Sequence, residues 1–293
     1  MGSLDGRVVI VTGGGRGLGR AHALLLAQEG AQLVVTDLPG TEGERGAAAD
    51  VVDEIAALGG KAIAVAGDIT QWETGRTLVE TAVSQFGRLD GLVNNAGALR
   101  DQYLVNLTED DWDFAINVNL RGTFVPTRWA AAYWRDQTKA GERVAASVVH
   151  TSSGSGLFGN PGQANYVAAK AGIGMFSKVC ATELSRYGVR SNSIVPAART
   201  RLTESAPGVG EIVAAPDDPG AFDEYDPANV SPVVAYLLTA DCPLTAETLY
   251  VRGGHISVVD SWKHRAQLTQ DARWTVAELS VQLPQLCESD PQA

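Results

Sequence analysis

The run Val8-Val9-Ile10-Val11-Thr12 passes without a break into Gly13-Gly14-Gly15-Arg16-Gly17-Leu18-Gly19 and then into a segment of helical period. A β-branched strand that turns on glycines straight into a helix opens a strand–helix–strand unit, and such units build parallel sheets covered by helices on both faces. The rest of the chain keeps the alternation. Short β-branched runs at 7–12, 32–37, 61–66, 89–93, 146–151, 190–195 and 248–251 predict seven strands. Between them, 18–29, 44–58, 72–86, 109–134, 163–187 and 232–238 read as helices. Thr108 and Asp111 form a capping box ahead of the fourth helix, and Gly30, Gly59, Gly87 and Gly188 stand where helices stop. The expected fold class is α/β, one doubly wound, seven-stranded parallel sheet with helices on both faces.

A chain of 293 residues, 45% hydrophobic and 19% charged, can bury a sizeable core and is not disordered throughout. Its 34 acidic against 23 basic residues give a net charge of −11, with no basic stripe to neutralise a phosphate backbone. Nucleic-acid and anionic-membrane partners are therefore not expected. Cys180, Cys242 and Cys287 are far apart and lack ligand spacing to the four histidines, so neither a disulfide framework nor a metal site is expected. No leader pattern precedes the first strand and no 18 apolar residues run together, which points to a soluble, cytoplasmic protein with reduced thiols. Two stretches break the alternation. Residues 200–229, with Pro207, Pro216, Pro219 and Pro227, read as an irregular insertion of the kind that covers a ligand. The main domain is expected over 1–259, and 260–293 form a C-terminal extension, with a helix over 270–283, packing on the domain or on a partner subunit.

Glycines between a strand and a helix let the backbone approach a pyrophosphate, whose charge then lies at the positive end of the helix. A glycine triplet alone is a weak signal, but this one is followed by Asp37 at the end of the second predicted strand. That pairing is the fingerprint of a Rossmann-type dinucleotide site. Gly13, Gly15, Arg16, Gly17, Leu18 and Gly19 would form the phosphate loop. Asp37 accepts hydrogen bonds from both adenine-ribose hydroxyls and repels a 2′-phosphate, which favours NAD over NADP. Arg16 pulls the other way, because a basic residue in this loop can serve a 2′-phosphate; Asp37 is the better placed of the two.

Tyr166 and Lys170 lie four residues apart on a predicted helix, which puts phenol and ammonium on one face. A phenol with a pKa near 10 works as a base at neutral pH only after a downward shift, and a neighbouring ammonium acts in that direction. Such a pair is commonplace on helix surfaces. Its surroundings are not: Ser153 in Thr151-Ser152-Ser153-Gly154 ends the fifth strand, Asn94-Asn95-Ala96-Gly97 closes the fourth, and Asn119 sits in the long fourth helix. Each has a bland alternative as a cap, an Asx-turn or a buried polar group. Together they converge on the carboxyl edge of one sheet, where open α/β folds bind ligands.

These signatures resemble those of the classical short-chain dehydrogenases/reductases over residues 7 to about 200. The resemblance implies Tyr166 as acid/base, Lys170 lowering its pKa and holding the nicotinamide ribose, Ser153 orienting the substrate oxygen, and Asn119 anchoring a proton-relay water. It implies Asn95, Ala96, Gly97 and Pro196 as further cofactor contacts, and Asp68 in Gly67-Asp68-Ile69 as the adenine contact beside Ile69; Asp68 also reads as a capping turn. A closer resemblance is to the (3R)-hydroxyacyl-CoA dehydrogenase units of multifunctional enzymes type 2, the 17β-hydroxysteroid dehydrogenases type 4. It rests on Asn94 through Asp101, Asp110-Asp111-Trp112-Asp113, Asn119 through Phe124, Gly159 through Tyr166 and, more loosely, Trp262 to Leu286. Pro196-Ala197-Ala198-Arg199-Thr200 departs from the usual Pro-Gly of the wider family, which leaves Thr200 as a candidate nicotinamide contact.

The expected reaction is the interconversion of a secondary alcohol and a ketone, with the resemblance implying a 3-hydroxyacyl-CoA. Phe222 and Tyr225 could cover an apolar tail, and Arg199, Arg201, Lys263 and Arg265 could meet the CoA phosphates. Free hydroxysteroids, a 3-oxoacyl carrier-protein reduction and a catalytically silent dinucleotide sensor are the alternatives; an intact Asn119, Ser153, Tyr166 and Lys170 set speaks against the last. Cys180, Trp129 and Trp134 read as packing residues. Gly172, Gly174 and neighbouring alanines give one helix a small-residue surface, and family resemblance implies a homodimer or homotetramer built there.

Overall fold

The computed structural model describes residues 2–41, 45–204, 210–218, 220–260 and 262–288. It divides into two compact units, Met1–Val258 and Val259–Ala293. The first carries a sheet of eight strands: β1 (Val8–Thr12), β2 (Gln32–Asp37), β3 (Lys61–Ala66), β4 (Gly91–Asn94), β5 (Ala146–Thr151), β6 (Val189–Pro196), β7 (Thr248–Arg252) and β8 (His255–Val258). Their order is β3-β2-β1-β4-β5-β6-β7-β8. Strands β1 to β7 are parallel, and β8 returns antiparallel along β7. The expectation of seven strands is corrected here. A two-residue turn at Gly253-Gly254 pairs Arg252 with His255 and folds the chain back as a hairpin, with Gly253 at φ +52°.

All residues of β1, β4 and β5 are buried, as strands covered on both faces require. One face carries α1 (Gly17–Gln28), α2 (Ala47–Ala57) and α9 (Ser231–Leu238), whose Leu26, Val51, Ile55 and Leu237 pack on Val9, Val11 and Leu33. The other carries α3 (Trp72–Phe86), α5 (Gly122–Lys139) and α7 (Ala164–Leu184), where Leu78, Trp134, Cys180 and Leu184 pack on Val8, Ile10 and Leu92. Trp134 also donates its indole N–H to the Leu89 carbonyl at 2.7 Å, so its polar edge is satisfied in the core. Gly30, Gly59, Gly87 and Gly188 all have positive φ at the ends of their helices. Glu44, where the second helix was expected to begin, lies outside the described residues.

The long fourth helix is three pieces rather than one. α4 (Glu109–Ala115) starts on the Thr108–Asp111 capping box, and the backbone then widens into a π-helical stretch over Ile116–Arg121 before α5. Such widenings re-aim side chains and recur at functional sites; this one carries Asn119. A short α6 (Gly154–Phe158) lies against α7 so closely that a Cβ on Gly156 would meet Lys170 backbone at 2.8 Å. The insertion after β6 holds α8 (Arg201–Glu204) and a 3-10 turn over Pro227–Val230, while Pro207 and Pro219 lie outside the described residues. In the second unit α10 (Val276–Glu288) begins on a capping box of Thr275 and Glu278, six residues later than expected, and runs through Pro284.

Candidate active site

The strand order reverses between β1 and β4, so the loops leaving these two strands diverge and open a crevice at the carboxyl edge. Thr12, at the end of β1, ties them together. Its Oγ1 accepts from the backbone N–H of Asn95 and Ala96 at 3.0 and 3.1 Å, and Asn95 Nδ2 donates back to the carbonyls of Thr12 and Gly13. The turn admits no larger residues: a Cβ on Gly13 would lie 2.7 Å from Ala96 Cα, and one on Gly19 2.0 Å from the Gly13 carbonyl oxygen. Asn94 points the other way, donating to Thr127 Oγ1 at 2.8 Å in the core.

α1 starts immediately after this turn with no side-chain cap and no acidic residue in its first turn, so its positive end faces the loop uncompensated. Asp37 reaches the same loop from β2, with Oδ2 accepting from Gly15 N at 2.9 Å and Oδ1 from Leu38 N at 2.8 Å. Arg16 is exposed and Leu18 packs partly against the core. Thr200 borders the loop, 3.6 Å through Cγ2 from where a Gly17 Cβ would stand, and Pro196 ends β6 beside Val251. A glycine cradle, a free helix N-terminus and a carboxylate at the next strand fit a dinucleotide's pyrophosphate and ribose.

Asp68 has both carboxylate oxygens engaged, by Thr70 N at 2.9 Å and Gln71 Nε2 at 3.2 Å, in the turn that precedes α3. Burial opposes its ionisation, and the bonds from Thr70 and Gln71 outweigh burial and hold the carboxyl below its ordinary value. Its capping alternative is thus present in the fold. Ile69 is buried against Gly122 with its side chain in the core.

Ser153, Tyr166, Lys170 and Asn119 meet on the far side of Gly97. Ser153 caps α6, accepting from Ser155 N at 3.2 Å, and its hydroxyl lies near enough to the Tyr166 phenol to favour its ionised form. Lys170 is 3% exposed, donates from Nζ to the Thr151 carbonyl at 2.9 Å and lies 5.6 Å from the centroid of the Tyr166 ring. Asn119 is held by two donations from Nδ2, to the carbonyls of Ala98 and Ala115, both at 2.9 Å. Its Oδ1 is buried without a partner. A Cβ on Gly97 would stand 2.8 Å from that oxygen and 3.4 Å from Lys170 Nζ, so only glycine leaves this corner open.

Electrostatically the pair departs from expectation. Burial pushes the Tyr166 phenol up to about 12, with Ser153 acting to lower it and the Asp101 carboxylate to raise it; Lys170 is not among the causes. Burial also lowers Lys170 to about 8. Desolvation penalises both charged forms and is the largest cause at each. The expected downward pull of the neighbouring ammonium is thus not the deciding influence: burial dominates, and the chain's own residues leave Tyr166 protonated at neutral pH.

Two residues at this site had no role assigned from sequence. Asn165 is fully buried, donating to the carbonyls of Arg100 and Asp111 at 3.0 and 2.9 Å and accepting from Tyr166 N at 2.8 Å. Gln163 precedes α7 and donates to Asp101 Oδ2 at 2.7 Å. Together they lash the loop after β4 to the start of the helix that carries Tyr166. Their only signal was adjacency to Tyr166, which spacing rules do not weigh.

The cations considered for CoA phosphates are mostly committed elsewhere. Arg199 pairs with Asp223 and donates to the Val213 carbonyl at 3.0 Å, stapling the insertion to the end of β6. Lys263 pairs with Asp260, and Arg265 donates to the Cys287 carbonyl. Arg201 is exposed at the start of α8. Phe222 is exposed beside Gly253, and Tyr225 is partly buried and accepts from Arg199 N at 2.7 Å through its carbonyl. Among the described residues no cluster of His, Cys, Asp or Glu could hold a metal ion, and no helix is long and apolar enough to cross a membrane.

A dinucleotide crevice beside a Tyr–Lys pair whose lysine is buried defines an oxidoreductase that works through a nicotinamide dinucleotide. A family model described as short chain dehydrogenase matches residues 7–207, and the chain belongs to that family. It is 43% identical over 289 residues to a hydroxyacyl-CoA dehydrogenase, ChsB1, of Mycobacterium tuberculosis, covering 96% of this chain and 88% of that one. It is 45% identical over 242 residues to peroxisomal multifunctional enzyme type 2 of Drosophila melanogaster, covering 81% of this chain but only 37% of that longer protein. Among solved structures, a short chain dehydrogenase from Mycobacterium avium superposes with a TM-score of 0.89 at 45% identity, over 99% of this chain and 97% of that one.

Proposed function

We propose that this chain is an NAD-dependent dehydrogenase that interconverts a 3-hydroxyacyl-CoA and its 3-oxo form. The observation that carries the chemistry is the meeting of the Ser153 and Tyr166 hydroxyls beside Lys170 and Asn119 at the mouth of the crevice. The substrate class is supported by near full-length similarity to the mycobacterial hydroxyacyl-CoA dehydrogenase. NAD is supported by Asp37, whose carboxylate stands at the loop where a 2′-phosphate would have to lie.

In this reading Gly13 to Gly19 and the start of α1 hold the pyrophosphate, Asp37 the adenine ribose, and Asn95, Ala96, Gly97, Pro196 and Thr200 border the nicotinamide half. Bound oxidised nicotinamide supplies a hydride acceptor and a positive charge. Ser153 donates to the substrate oxygen and fixes the carbinol carbon. Tyr166 takes the hydroxyl proton from that oxygen in the oxidative direction and returns it in the reductive one. Lys170 holds ribose hydroxyls and adds a cation beneath the phenol. The unpartnered Asn119 Oδ1 offers an acceptor through which the proton can pass on. The half-buried environment that raises Tyr166 to about 12 makes it a proton donor in the resting protein, so cationic neighbours must outweigh burial before it acts as a base.

The test is spectrophotometric: NADH formation with short 3-hydroxyacyl-CoA thioesters, free hydroxysteroids and simple secondary alcohols. Tyr166→Phe should retain NAD binding and lose turnover about a hundredfold or more. Near-normal turnover in that variant overturns the assignment. We further infer a homodimer or homotetramer through the α5 and α7 face, supported by exposed Phe124, Met175 and Val179 there.

A further inference from the structure

Asp101 lies in the loop after β4, exposed at the mouth of the site, and its carboxylate is fixed rather than free to swing. Oδ2 accepts from Gln163 Nε2 at 2.7 Å, and Gln163 is the residue on which α7 begins. The next residue, Gln102, bridges to Gln163 and donates from its N–H to the Gly162 carbonyl at 2.8 Å. On the other side Arg100 is anchored through its carbonyl to Asn165, which also accepts from Tyr166 N. Three consecutive loop residues are thus pinned to the turn of helix that bears the reacting phenol. Among the described residues no ion pair neutralises Asp101; the adjacent Arg100 is turned toward Asp111, at 3.8 Å, and over the Phe114 ring, at 4.0 Å. The charge is felt at the phenol, where Asp101 opposes ionisation of Tyr166.

We propose that Asp101 is a specificity-determining residue that excludes substrates carrying a negative charge next to the reacting carbon and so restricts the site to acyl groups whose carboxyl is masked as a neutral thioester. This rests on the proposed 3-hydroxyacyl reaction. In a 3-hydroxy acid the carboxyl group is two bonds from the carbinol carbon that Tyr166 must reach. A free acid therefore brings a carboxylate toward the fixed charge of Asp101, and like charges at that range repel. A thioester carries no charge at that position. The distant phosphates of a CoA lie many bonds from it and escape most of the repulsion through solvent screening.

The experiment compares 3-hydroxybutyrate with its neutral N-acetylcysteamine thioester as NAD reductants, so that the two substrates differ in the one charge in question. The intact protein should oxidise the thioester and strongly disfavour the acid. In Asp101→Asn the ratio of kcat/KM, thioester over acid, should fall about tenfold or more. Asp101→Glu, which keeps the charge, should preserve most of the discrimination. Because the readout is a ratio within one variant, a general loss of activity or of folded protein cancels. An unchanged ratio in Asp101→Asn, or equal loss of discrimination in the Glu and Asn variants, overturns the proposal. Oxidation of neither substrate by the intact protein would instead overturn the 3-hydroxyacyl reading.

Discussion

At the scale of single residues, the site depends on where charges are held and what they displace. Asp37 is the clearest case, because its Oδ2 is placed by Gly15 N and its Oδ1 by Leu38 N, so the carboxylate cannot withdraw from the loop to make room for a phosphate. Asp37→Ser keeps a hydroxyl for the Gly15 N–H while removing the charge. Its preference for NAD over NADP, read as a ratio of kcat/KM values, should fall by roughly tenfold or more, chiefly through NADP binding. A ratio that does not move would leave the choice of cofactor to Arg16 and its neighbours. The same logic separates residues that were legible from those that were not. Tyr166, Lys170, Ser153 and the glycine turn are fixed-spacing features whose chemistry demands those residue types. Asn165 and Gln163 act by reaching across the fold to residues 100, 101 and 111, and nothing in their local sequence records a partner more than fifty positions away.

At the scale of elements, periodicity located the strands and helices, and the misses have physical causes. The eighth strand hides behind the Gly253-Gly254 pair, a two-residue hairpin signal masked by the parallel pattern before it. The helix of the second unit begins at its capping box, Thr275 to Glu278, rather than at the first residue of helical period. The π-helical stretch at Ile116–Arg121 leaves no readable trace in hydrophobic period, since it occupies only six residues inside a much longer helical segment. One element-scale consequence remains to be tested. Phe124 on α5 and Met175 and Val179 on α7 are each at least two-fifths exposed. Large apolar side chains left exposed on two helices of one face suit the close approach of a second copy of the same helices. Light scattering at micromolar concentration should give a mass at least twice that of one chain, and Val179→Glu should shift it toward the monomer. A monomeric mass for the unaltered protein would rule the interface out.

At the scale of the whole molecule, stability should climb as the pH rises from about 3 to about 6.5, because the buried imidazoles favour their neutral forms. His22 and His150 are fully buried on opposite sides of the sheet, each with Nε2 unpartnered. Their Nδ1 atoms meet Ser231 Oγ at 2.9 Å and Asn94 Nδ2 at 3.2 Å, and burial lowers both to about 3. Above the unfolded value of about 6.5 the native and unfolded forms hold the same imidazole protons, and nothing is lost. Between there and about 3 the unfolded chain takes up protons that the native one refuses, so stability falls as the medium is acidified, by up to about 1.4 kcal/mol per pH unit for each imidazole. Lys170 repeats the argument at the alkaline end. Lowered by burial to about 8, it sheds its proton in the native state while the unfolded chain keeps it until about 10.5, so this group adds stability as pH rises from about 8, until above about 9 the Cys180 thiol, pushed up by burial to about 12, acts the other way. Denaturant unfolding followed by tryptophan fluorescence should therefore give a lower midpoint at pH 5 than at pH 7. His150→Gln should flatten the acid limb, and Lys170→Met should remove the gain between pH 8 and 9 while abolishing turnover. An acid limb that keeps its slope in the His150 variant would show that this imidazole is protonated in the folded chain, and the packing of β5 against α7 would then have to be looser than the structure has it.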